Sequence, residues 1–109
     1  MAHRTRRLIV AATLAAAAQN AHAQNGNVAA GHAFAREACN PCHVVETEQR
    51  VPRLITIGPA FRDIANTPGI TATALRAFLT SSHPKMPNLI LEPEETANVI
   101  AYILSLRDR

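Results

Sequence analysis

Two thiols and an imidazole lie within five residues in the motif Cys39-Asn40-Pro41-Cys42-His43. A C-x-x-C pair serves thiol–disulfide exchange, half of a zinc site, or covalent haem attachment. A zinc site needs four ligands, and the other histidines after residue 23, His32 and His83, have spacings that fit no zinc finger. A thioredoxin-like oxidoreductase needs βαβ surroundings, and no strand alternation is visible. The histidine after the second cysteine therefore favours haem attachment, with a redox dithiol or a structural disulfide as alternatives.

A haem attached at this motif would be covalent and axially ligated. The thiols of Cys39 and Cys42 would add to the vinyl groups at one edge of the porphyrin. The short spacer then brings the imidazole of His43 under the iron, where a neutral nitrogen can bind the metal. Because no second C-x-x-C-H motif occurs, we predict one covalently bound haem c.

The candidate for the sixth iron ligand is Met86, the only methionine after residue 1. It follows His43 by 43 residues, and Pro84 and Pro87 favour an extended loop around it. A neutral thioether opposite an imidazole stabilises ferrous iron. Two alternatives are a methionine that fills a gap in the core, and ligation by His83, because an imidazole binds ferric iron well.

Residues 1–23 have the pattern of a secretory signal peptide. Three arginines lie in the first seven residues, residues 8–18 are apolar apart from one threonine, and Ala21-His22-Ala23 provides small residues at a cleavage site. The apolar stretch would span about 16 Å as a helix, too short for a hydrocarbon core of about 30 Å. An uncleaved anchor or a buried helix is the alternative. We predict cleavage, a mature domain of residues 24–109 without a membrane span, and, in a bacterium, a periplasmic location.

The mature chain is small and electrically balanced. Its 109-residue precursor has room for one domain, and residues 24–109 carry eight basic and eight acidic side chains. Without a positive face it is not expected to bind nucleic acid. A chain this short buries little surface on folding, so a bound group is expected to help to stabilise it.

Periodicity predicts short helices and a loop-rich remainder. The expected helices cover residues 28–39, Pro59 to Ala65, 72–79 after a Thr71 cap, and a last helix opened by Pro93 after a weak cap at Glu92. In the first helix, Phe34 and Ala38 are expected to share the apolar face. In the last helix, the expected apolar stripe is Ala97, Ile100, Ala101 and Leu104, widened by Ile103 and Leu106 and with Tyr102 at its edge. The expected aromatic core is Phe34, Phe61, Phe78 and Tyr102.

Taken in order, these landmarks resemble the class I monohaem cytochromes c, in particular the short bacterial periplasmic members. The resemblance covers about residues 31–106: a helix leading into the C-x-x-C-H motif, Gly58-Pro59 before a hydrophobic residue, Met86-Pro87, and a terminal amphipathic helix. It implies an all-α fold of about four short helices wrapped around one haem. It also implies that the Pro59 carbonyl accepts a hydrogen bond from His43, although Pro59 in an ordinary turn before a helix is the alternative. Finally, it implies that Gly31 and Phe34 meet the region of Tyr102.

Iron with two protein ligands has no vacant position for a substrate, which favours one-electron transfer over catalysis. The resulting hypothesis is a periplasmic electron carrier and not an enzyme, with a dehydrogenase as donor and an oxidase or another cytochrome as acceptor. One alternative is a cytochrome subunit of a periplasmic dehydrogenase, for example of a sulfite-dehydrogenase-like complex. Another is a haem sensor or small peroxidase in which Met86 does not stay on the iron.

Overall fold

The computed structural model describes residues 25–47, 57–86 and 89–109. Within these ranges the chain forms four α-helices and no strand, so the predicted all-α fold is confirmed there. The helices are α1 (Val28–Ala38), α2 (Phe61–Ala65), α3 (Ala72–Leu79) and α4 (Pro93–Ser105). None of the described helices combines the length and apolarity that crossing a bilayer requires. The predicted leader 1–23, the cleavage point before Gln24, most of the predicted loop 44–57, and Pro87 lie outside the described residues.

Local side-chain bonds fix where α1 and α3 begin. The Asn27 side-chain oxygen accepts from the Ala30 N–H at 2.9 Å, and the Thr71 hydroxyl accepts from the Ala74 N–H at 3.1 Å. Each bond satisfies a backbone donor that a helix N-terminus leaves without a partner. The start of α3 after Thr71 is therefore as predicted.

The other two helices begin differently from one another. Pro93 opens α4 as predicted, and the Glu92 N–H donates to the Glu95 side chain at 2.9 Å. Glu95 thus compensates for the weak cap. Helix α2 begins at Phe61 and not at Pro59, because Ala60 is still extended.

The first and last helices cross at very close range. A Cβ on Gly31 would overlap the Asn98 carbonyl oxygen and lie 3.0 Å from the Tyr102 Cβ. The residues of α1 that are buried are Gly31 and Ala35. The predicted meeting of Gly31 with the Tyr102 region is confirmed. Phe34 of the predicted face packs against the core, but Phe34 and Ala38 are only partly buried, because close backbone approach places the small residues Gly31 and Ala35 in the contact.

The core lies along α4, which α1, α2 and α3 all contact. Ala97, Ile100, Tyr102 and Ile103 are buried in it as predicted. Contact on several sides explains why Thr96 and Val99, outside the predicted stripe, are buried as well. Of the predicted stripe, Ala101 and Leu104 are only partly buried. The expectation for Phe78 was also wrong, since its side chain is 51% exposed.

Candidate functional site

The end of α1 gathers the residues of the C-x-x-C-H motif. Cys39 caps the helix, and its carbonyl accepts from the N–H groups of Cys42 and His43 at 3.1 and 2.9 Å. This tight turn holds the two cysteines and the histidine beside the C-terminus of α1. Both thiols are free.

The Cys39 thiol packs against the hydrophobic core. Burial raises the pKa of the Cys39 thiol to about 11. Redox-active cysteines have a lowered pKa, because the thiolate is the reacting form. The environment of Cys39 therefore argues against the alternative of a redox dithiol.

A hydrogen bond selects the tautomer of His43. Its Nδ1–H donates to the Pro59 carbonyl oxygen at 2.7 Å. A carbonyl can only accept, so Nδ1 carries the proton and the lone pair of a neutral ring lies on Nε2. The ring is therefore oriented, and its second nitrogen is prepared to bind a metal.

Gly58 lies flat against the same imidazole. A Cβ there would overlap the His43 ring, approaching Nδ1 to 2.7 Å. The Gly58 N–H donates to the Cys42 carbonyl at 2.8 Å, and the Phe61 N–H to the Val44 carbonyl at 2.9 Å. These backbone bonds join the motif to the segment before α2. They thereby place the Pro59 carbonyl next to the His43 ring.

Tyr102 of α4 holds the backbone just after the motif. Its hydroxyl donates to the buried Val45 carbonyl at 2.5 Å. Burial, and then the Glu46 carboxylate, raises the pKa of the Tyr102 phenol. His32 of α1 packs its ring 4.7 Å from that of Tyr102 and bonds Glu46 at 2.8 Å. His32 thus links α1 to this segment.

Met86 lines a cavity of about 450 Å³ at the C-terminal end of α3. The cavity also touches Leu91 and the buried Thr96 of α4. Its apolar side chains include the exposed Leu89 and Ile90. Polar side chains, among them Ser82 and Thr96, complete the lining. A thioether exposed to such a cavity could serve as a soft iron ligand.

His83 lines the same cavity but is held by α3. Its ring stacks on Phe78 with centroids 3.6 Å apart and 14° between the planes. Its Nε2 lies 2.5 Å from the Phe78 carbonyl oxygen and must donate to it. His83 therefore contacts a helix end rather than pointing an unprotonated Nε2 into the cavity.

The donor set fits a covalently attached haem. Two free thiols, an imidazole with its Nε2 lone pair available, and a thioether are the groups that a c-type haem takes from a protein. The hydrogen bonds bring Cys39, Cys42, His43 and Pro59 together. Met86 lies in the segment that follows α3 and lines the cavity there.

The comparisons define the class of protein. Residues 28–107 match the family described as cytochrome c, and the chain belongs to this family. It is 35% identical to cytochrome c-552 of Bradyrhizobium diazoefficiens over 94 residues, which cover 86% of this chain and 88% of that protein. No solved structure matches it at a significant level.

Membership of the family establishes the general activity. The protein is a class I c-type cytochrome that binds haem c covalently and transfers electrons with redox partner proteins. The expected class and cofactor are thereby confirmed.

Proposed function

We propose that the protein is a periplasmic carrier that transfers one electron at a time, with Cys39 and Cys42 as attachment points and His43 and Met86 as axial ligands. The observation that carries this assignment is the bond from His43 Nδ1–H to Pro59, which leaves Nε2 available. When bound, the haem iron supplies one-electron chemistry between Fe(III) and Fe(II).

The chain's own residues tune and protect that chemistry. The Pro59 carbonyl fixes the His43 ring and makes it a stronger donor, as partners of metal-bound imidazoles do. The Met86 thioether, neutral and soft, favours the reduced state and raises the reduction potential. If His43 and Met86 both held the iron, no position on it would remain for a substrate, which supports a carrier rather than an oxygen- or peroxide-consuming enzyme.

The proposed location and partners follow from the sequence. Residues 1–23 have the anatomy of an export signal, so residues 24–109 would act outside the bacterial inner membrane. There a dehydrogenase would be the donor and an oxidase or another cytochrome the acceptor. Weak redox encounters bury little surface, which agrees with the balanced charge of residues 24–109.

Absorption spectroscopy of haem-loaded variants tests the axial assignment. Met86→Ala should abolish the weak near-infrared band that a sulfur ligand gives ferric haem. Leu89→Ala, which changes another side chain of the same cavity, should retain it. A band that persists in Met86→Ala would refute Met86 as the ligand. A single chain of residues 24–109 in a periplasmic extract supports a free carrier, whereas co-purification with a larger chain supports the dehydrogenase subunit.

A further inference from the structure

Several bonds join the segment that carries Met86 to the end of α3. The Ser81 hydroxyl donates to the Ala77 carbonyl at 2.6 Å, and the Ser81 N–H donates to the Phe78 carbonyl at 3.2 Å. The bond nearest to Met86 among these comes from His83, which donates from Nε2 to the same Phe78 carbonyl at 2.5 Å and stacks on the Phe78 ring at 3.6 Å. His83 thus adds a side-chain donor to the last turn of α3. Met86 follows three residues later.

The chain between His83 and Met86 has little freedom. Pro84 fixes its own φ and restricts His83 to extended conformations. Both His83 and Met86 line the same cavity of about 450 Å³. Anchoring residue 83 therefore limits the volume that the Met86 thioether can explore, and with it the entropy lost when the thioether binds iron.

We propose that His83 is a positioning residue that holds Met86 at the iron and is not itself an iron ligand. This inference rests on the proposed ligation by Met86. The ring nitrogen Nε2, which donates to Phe78, cannot at the same time bind a metal, because it carries a proton. The lone pair of the neutral ring then lies on Nδ1, and the double variant described below tests whether that nitrogen binds the iron. The stacking fixes the plane of the ring against α3 and directs the segment after it toward the cavity.

External imidazole provides the test, because it must displace Met86 to bind ferric iron. In the haem-loaded protein, His83→Ala should tighten imidazole binding about three- to tenfold, the effect of losing one hydrogen bond and one ring stack. His83→Gln keeps an N–H donor and His83→Phe keeps a ring, so each should bind imidazole less tightly than His83→Ala does. Lys85→Gln, an exposed neighbour, should change binding less than about twofold.

A second experiment, in the Met86→Ala variant, distinguishes a positioning role of His83 from ligation of the iron by His83. In Met86→Ala, where no thioether remains to be held, adding His83→Ala should leave imidazole affinity unchanged. Tighter binding in the double variant would show that His83 itself occupies the iron, and would overturn the proposal.

Two further outcomes are distinguishable. If Met86→Ala tightens imidazole binding but His83→Ala does not, the positioning role is wrong and the Met86 assignment stands. If Met86→Ala has no effect, both the axial assignment and the inference built on it fail.

Discussion

At the scale of single residues, the His43 imidazole is fixed from two directions. Pro59 accepts the proton of Nδ1, and Gly58 lies against the ring where any Cβ would overlap it. Both neighbours come from one short stretch that the Gly58–Cys42 backbone bond draws onto the motif. The orientation of His43, the proposed iron ligand, thus depends on Gly58 as much as on Pro59.

Gly58→Ala is expected to displace the His43 ring from its hydrogen-bonded position beside Pro59. The overlap should cost about 1–3 kcal/mol of unfolding free energy and also shift the reduction potential, because it disturbs the bond to Pro59. Urea unfolding and redox titration of the haem-loaded protein measure the two effects. Gly69→Ala is the matched control, since Gly69 has φ +77° and open space around it. Gly69→Ala should lower the unfolding free energy without changing the reduction potential. An equal shift of the reduction potential in both variants would contradict this role of Gly58.

Tyr102→Phe removes the hydroxyl that satisfies the buried Val45 carbonyl. At neutral pH the loss should be about 1–3 kcal/mol of unfolding free energy. Because folding raises the pKa of the Tyr102 phenol, its contribution is present below the unfolded pKa of about 10 and is lost as pH rises through the folded value. Urea unfolding at several alkaline pH values should show this loss in the parent. Tyr102 is the only tyrosine in the chain. If Tyr102→Phe lost as much unfolding free energy at alkaline pH as the parent does, the assignment of that loss to the Tyr102 phenol would be refuted.

At the scale of helices, the crossing of α1 and α4 determines how the motif is presented. Gly31 touches Asn98 and Tyr102, and the Asn27 N–H donates to the Asn98 side chain at 2.6 Å. Because α1 ends at the C-x-x-C-H motif, its packing on α4 fixes the position of the two thiols.

Gly31→Ala is expected to separate the two helices. The added Cβ overlaps backbone in α4, which cannot yield as a flexible side chain would, so the cost should be about 1–3 kcal/mol. Ala33→Ser, at an exposed position of the same helix, should cost only about 0.5 kcal/mol. Thermal and urea unfolding compare the two variants. Equal stability would show that the crossing is looser than described.

The starts of helices could be predicted from local sequence, whereas the burial of their side chains, which depends on tertiary packing, could not. Thr71 and Pro93 marked the starts of α3 and α4 because a cap acts within three or four residues. The buried face of α1 was misjudged because hydrophobicity favoured Phe34, while close approach to α4 required Gly31. Phe78 was expected in the core, but its ring stacks on His83 beside the cavity, a contact that periodicity does not encode.

The residues of the candidate site could be proposed from the sequence to a similar extent. Cys39, Cys42 and His43 stood out because the chemistry needs three adjacent groups, and Met86 because it is the only methionine after residue 1. Pro59 was expected from the family resemblance, not from its spacing. The contact of Gly58 with His43 was missed, since it arises only when the chain folds to bring together residues that are 15 positions apart. A glycine directly before Pro59 was the available signal.

At the scale of the whole molecule, the core of the described residues is small. Besides Val45, Val99 and alanines, its buried large side chains are Phe61, Leu75, Ile100, Tyr102 and Ile103. A chain of this size needs an additional source of stability, which a haem bonded to both cysteines would supply through the cavity and the motif. Export, attachment and folding are therefore expected to depend on one another.

The most direct test is the mass of the peptide that carries the motif. Trypsin should cut the purified, acid-extracted protein after Arg36 and Arg50 and release residues 37–50. We predict that this peptide retains the full mass of one haem through thioether bonds at Cys39 and Cys42, and that Cys39→Ala with Cys42→Ala abolishes the attachment. An unmodified peptide with two free thiols, from cells competent in haem attachment, would contradict the account.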